Sequence, residues 1–124
     1  MSQVREETIG LWNDSVKLFN EISAATCHFP ADDKFGLKYA VTDTSKNLMD
    51  KIASSSYSQS QNTYEERLKY AAELLHKTMG QLYIATEKKY LSKGYYEQLF
   101  NNGRSLVEKI CLLAGISYKT FGLN

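Results

Sequence analysis

The sequence predicts an all-α protein, an antiparallel up-down-up-down four-helix bundle. Apolar residues recur at alternating steps of three and four in four long segments, the period of one helix face. Strand-like alternation of any length is missing, and the 124 residues contain a single proline. Two of the three junctions read as short, which makes successive helices antiparallel neighbours. A chain of this length reads as one domain, residues 1–124, able to bury a core without disulfides or metals.

The first helix is expected over residues 4–26. Ile9, Trp12, Val16 and Phe19 form one stripe, with Leu11, Leu18, Ile22 and Ala25 beside it. Together they make a broad apolar face. Ser2 is a candidate cap, and Glu6 and Glu7 suit the positive helix end. Phe29 precedes Pro30, which disfavours the α conformation and ends the helix. Pro30 is read as opening the second helix, residues 32–56. Its stripe is Leu37, Val41, Thr44, Leu48 and Ile52, with Asp32 and Asp33 in the first turn. Residues 54–62 are polar and serine-rich and read as a mobile linker.

The third helix, residues 63–90, is the one around which the others are arranged. Leu68, Ala72, Leu75, Met79, Leu82 and Thr86 keep to one face. Thr63 and Glu66 have the spacing of a capping box. At about 1.5 Å per residue the helix is roughly 40 Å long and needs partner helices of similar length. A second face carries Tyr70, Leu74, Lys77, Gln81, Ile84 and Lys88. Either the core is wide, or Tyr70, Leu74 and Ile84 meet another subunit. The fourth helix is expected over residues 93–114, capped by Ser92 and stopped by Gly115. Its stripe is Tyr96, Leu99, Gly103, Leu106, Ile110 and Leu113, where Gly103 allows a close helix approach. Ile116 to Asn124 read as a tail, with Tyr118 and Phe121 free to pack.

Composition narrows the function classes. A net charge of +1 gives no strong global field toward nucleic acid. The charge is uneven, at −2 over residues 1–61 and +3 over residues 62–124. The longest apolar run, Ile110 to Ile116, is far short of a membrane span, and the N-terminus lacks a signal-peptide core. The cytoplasm is therefore the expected location, with Cys27 and Cys111 reduced. Glu73-x-x-His76 has the spacing of di-iron bundles, but that site needs two such motifs and two further glutamates. Cys27 beside His28 has no second ligand pair to close a metal site. With no nucleophile elbow and no phosphate-cradling glycine loop, neither an enzyme nor a cofactor site is expected.

One basic cluster stands out. Lys88, Lys89 and Lys93 interleave with Tyr90, Tyr95 and Tyr96. An antiparallel hairpin turning at Ser92 brings Lys77 level with Lys109, and Arg104 level with Gly80. Lys77, Lys88, Lys89, Lys93, Arg104 and Lys109 are thus a candidate stripe for phosphates, with tyrosines as stacking surfaces. The commoner arrangement of such residues is solvated lysines and half-buried tyrosines.

Phe29-Pro30, Phe35-Gly36-Leu37, Ile52-Ala53, the run Gln81 to Ala85 and Tyr90-Leu91-Ser92 resemble a family of small bacterial four-helix bundles. That family includes proteins encoded within 23S ribosomal RNA intervening sequences and the accessory variability determinants of diversity-generating retroelements. Tyr96-x-x-Leu99 and Gly103-Arg104-Ser105-Leu106 resemble the last helix of the accessory determinants more closely. Thr42 and Asp43 stand where intervening-sequence proteins usually carry paired arginines. The resemblance implies a homo-oligomer, a barrel-like pentamer. In the retroelement members it implies binding of RNA or DNA and of a partner reverse transcriptase, without catalysis. The competing expectation is an oligomeric scaffold that touches no nucleic acid.

Overall fold

The computed structural model describes residues 6–116, and within them the chain is four α-helices with no strand. They are α1 (Glu6–Thr26), α2 (Leu37–Ser55), α3 (Gln61–Glu87) and α4 (Lys93–Ala114). The expected Ser2 cap and the tail with Tyr118 and Phe121 lie outside the described residues.

Side-chain contacts fix the direction of each helix. Lys109 of α4 bonds Asp14 of α1, while Asn102 reaches Glu21. Arg67 of α3 bonds the Ser54 carbonyl at the end of α2. Tyr83 of α3 packs on Tyr96 of α4. Rising numbers on one helix meet falling numbers on the next, so neighbours run antiparallel. Each helix packs on two others, α1 and α3 standing on opposite corners.

The core lies along the bundle axis. Ile22, Leu48, Ile52, Leu68, Leu75, Leu82, Leu99 and Ile110 are completely buried. The stripes expected for α2, α3 and α4 supply most of it. For α1 the broad apolar face is divided, and only one of its two stripes is core. Leu11, Leu18, Ile22 and Ala25 are the core face, whereas Ile9 and Trp12 are 49% and 43% exposed. Val16 and Phe19, of the same series as Ile9 and Trp12, are half-buried.

Local chemistry explains the helix boundaries. Ser92 accepts a hydrogen bond from the Tyr95 N–H and caps α4. Gly115, at φ +72°, ends α4 with the Ile116 N–H on the Cys111 carbonyl, a Schellman closure. α3 starts earlier than expected, because Ser60 rather than Thr63 is the cap: its hydroxyl accepts from the Thr63 N–H. α2 starts five residues later than expected. Gly36 adopts a left-handed φ of +61°, and the Asp33 carboxylate takes the Lys38 N–H at 2.8 Å. Pro30 therefore belongs to a ten-residue connection, residues 27–36, and not to α2. The serine-rich stretch is mostly ordered structure: α2 runs through Ser55, and Ser55, Ser56 and Ser58 are buried. The Ser55 and Ser56 hydroxyls donate to the Ile52 and Ala53 carbonyls, and Arg67 ties Ser54 and Ser58 to α3.

The Lys38 backbone N–H holds the Asp33 carboxyl below its ordinary value. A depressed folded value stabilises above the ordinary carboxylate range, and the effect is lost as pH falls through the folded value. Asp33→Ala is expected to remove this part of the acid destabilisation, read as a flatter dependence of Tm on pH below about pH 4.

Gly103 of α4 is buried against the Met79 side chain of α3. A Cβ there would stand 2.7 Å from the Met79 sulfur and 2.8 Å from its methyl carbon. Met79 can yield slightly to a methyl group, but not to a branched side chain. Gly103→Leu is expected to cost about 1–3 kcal/mol by overpacking. Adding Met79→Ala should recover part of that loss in the same denaturation experiment.

Candidate nucleic-acid interface

The α3–α4 turn is built by a left-handed residue that is not glycine. Lys89 has φ +65°, the one positive value among the described non-glycine residues. The Tyr90 N–H bonds the Ala85 carbonyl and the Lys89 N–H bonds the Thr86 carbonyl. These two bonds are again a Schellman closure, normally made with glycine at the left-handed position. A side chain there costs roughly 1–2 kcal/mol. The connection 27–36 buttresses the turn, because Phe29 packs on Tyr90 with ring centroids 5.5 Å apart.

Beside this turn is a cleft of about 630 Å³. Lys89 and Lys93 line it together with Tyr83, Tyr96, Glu87 and Glu97. Tyr83 and Tyr96 meet edge to face at 6.0 Å, and Phe100 backs Tyr96 at 5.9 Å. Tyr83 remains about half exposed. Burial, and then the adjacent Tyr83, push the Tyr96 phenol above its ordinary value, so it stays neutral near pH 7. Neither lysine is within ion-pair distance of a carboxylate; the two ion pairs among the described residues lie elsewhere.

The six basic residues expected to form one stripe are not on one face. Lys89 and Lys93 share the cleft. Lys88 lies 4.4 Å over the Phe35 ring, toward the α1–α2 connection. Lys77 is exposed on α3, and Arg104 pairs with Glu108 one turn on along α4. Lys109 bonds Asp14 at 2.9 Å on α1. A side chain of α4 that reaches α1 points away from α3, so Lys109 is turned from the cleft. Its height was legible from the hairpin, but its side was not, since that depends on where α1 packs.

The expected oligomer face of α3 is also divided. Tyr70 and Ile84 are exposed, the former beneath the Lys51 ammonium at 4.8 Å. Leu74 is buried, at 9% exposure, and belongs to the core. A more apolar surface lies on the other side of the bundle. Ile9, Trp12, Ala53 and Tyr57 line a shallow groove between α1 and α2. Sequence reasoning missed it by placing Ile9 and Trp12 in the core.

Nothing metal-like converges: no three His, Cys, Asp or Glu side chains come together among the described residues. Glu73 and His76 are exposed on α3, Cys27 is exposed, and burial raises the Cys111 thiol above its ordinary value. No helix of the described residues is long and apolar enough to cross a membrane.

The family model of the 23S rRNA-intervening sequence protein matches residues 7–111, from the first turn of α1 into the last turn of α4. The chain belongs to that family. The match includes the whole α3–α4 turn, so the cleft is part of the family domain and not an appendage to it. No curated protein and no solved structure matches the chain.

Proposed function

We propose that this member of the 23S rRNA-intervening sequence protein family is a non-catalytic, RNA-binding accessory protein of the cytoplasm. The observation that carries the proposal is the α3–α4 corner. Two lysines without ion-pair partners stand there beside two packed tyrosines, the combination that meets phosphates and bases. Lys88 and Lys77 extend the basic surface beyond the cleft. Arg104 can join it, because an exposed ion pair such as its contact with Glu108 is worth only about 0–1 kcal/mol, whereas Lys109 is turned toward α1.

One such corner on a nearly neutral chain is a weak RNA site. Repetition in a homo-oligomer, a pentamer by resemblance, makes it a useful one through multivalency. The groove of Ile9, Trp12 and Tyr57 is the surface proposed for self-association, since it gathers three large exposed apolar side chains in one place. By its likeness to accessory variability determinants, the partner proposed for the assembly is a retroelement reverse transcriptase with its template RNA.

The same apolar groove favours a second reading, an oligomeric protein scaffold without nucleic acid. Titration of a fluorescent structured RNA with the protein at low salt separates the two. The RNA-binding reading expects a saturable signal; no binding at micromolar protein favours the scaffold.

A further inference from the structure

We propose that the α3–α4 cleft is a pocket for one unpaired nucleotide, its base on Tyr83 and its phosphate between Lys89 and Lys93. The inference deepens the RNA-binding reading and, for a nucleotide that is part of a strand, rests on it.

The size is suitable, since about 630 Å³ lies within the range of small-ligand sites, about 300–1,000 Å³. The aromatic wall is fixed on one side and open on the other. Tyr83 is braced by the edge contact with Tyr96, and Tyr96 by Phe100, while half of the Tyr83 surface faces outward. A ring held in this way offers a flat, pre-oriented surface on which any base can stack.

The charges point the same way. Lys89, Lys93, Glu87 and Glu97 surround one cleft, yet no lysine–carboxylate pair closes within it. Two cations and two anions left unpaired suit a ligand with an anion at one end and N–H donors at the other. A nucleotide has that form, with a phosphate for the lysines and an exocyclic amino group for a carboxylate, as cytosine N4 donates to glutamate. The left-handed backbone at Lys89 sets the direction in which its side chain leaves the turn. A base within a duplex cannot reach Tyr83, because its faces are covered by its neighbours. The pocket therefore selects single strands, loops and ends.

The test uses the full chain and three probes: single-stranded hexacytidylate, a long, fully paired RNA duplex, and cytidine monophosphate. Tyr83→Ala removes the stacking surface and Tyr83→Phe keeps it; circular dichroism confirms that both fold. Hexacytidylate is expected to bind about tenfold or more weakly to Tyr83→Ala and within about twofold of wild type to Tyr83→Phe. Competition by cytidine monophosphate shows that a free nucleotide suffices, and lack of competition shows that the strand is required; either supports the pocket. Hexacytidylate binding that Tyr83→Ala leaves unchanged, or duplex binding without hexacytidylate binding, overturns the pocket but keeps the RNA reading. Binding of cytidine monophosphate alone, lost in Tyr83→Ala, keeps the pocket and overturns the RNA reading. Failure of all three probes overturns both.

Discussion

Leu75→Ala is expected to lower the unfolding free energy by about 2–5 kcal/mol. Leu75 is completely buried near the middle of α3, the longest helix, and its face of α3 is closed by the other helices. Truncation removes three heavy atoms from the core and leaves a cavity that rigid helices fill poorly. A domain of this size has about 5–15 kcal/mol of stability, so the loss is a large share of the total. At roughly 4 °C per kcal/mol the melting temperature should fall by about 8–20 °C. Leu112→Ala is the control. Leu112 is 81% exposed on α4, and the same truncation there should stay within about 0.5 kcal/mol. Equal effects at the two positions would mean that the inward face of α3 is misplaced.

Trp12→Glu is expected to dissociate the proposed oligomer while leaving the protomer folded. Trp12 is 43% exposed and borders the apolar groove with Ile9 and Tyr57. A carboxylate at that edge stays solvated in the protomer, but burial against a second copy would strip its water. Light scattering should give the protomer mass for the variant and a multiple of it for wild type. RNA affinity should fall with it, by about 10²-fold or more, because linked sites gain that much from multivalency. A wild-type protein that already has the protomer mass at micromolar concentration would remove the assembly from the account.

These two variants touch the features that were most and least legible in the sequence. Leu75 could be placed in the core by periodicity alone, since its stripe on α3 is apolar from Leu68 to Leu82, whereas Lys77, Gln81 and Lys88 interrupt the second one. Ser92 and Gly115 were legible because caps are set by a few neighbouring atoms. Trp12 could not be placed, because α1 carries two adjacent apolar stripes and only packing on α2 and α4 decides which turns inward. The start of α2 was missed for a similar reason. The Asp33 carboxylate captures an N–H five residues on, and Gly36 turns left-handed, so Pro30 opens no helix. At the candidate site, closeness in sequence put Lys89 and Lys93 at the same turn, and the hairpin register gave Lys109 its height. It could not give the side of Lys109, whose partner Asp14 lies 95 residues away in sequence.

The most direct test of the central claim is the affinity for structured RNA as a function of salt, for wild type and for Lys89→Gln/Lys93→Gln. Phosphate contacts release counterions, so the logarithm of affinity falls linearly with the logarithm of salt, by about 0.7–0.9 for each phosphate neutralised. The wild-type protein is predicted to bind at low salt with a steep negative slope. The double variant should bind more weakly, and its slope should flatten by about 1.4–1.8 for each corner engaged. RNA binding that is undetectable at low salt, or a slope the double variant leaves unchanged, would contradict the account.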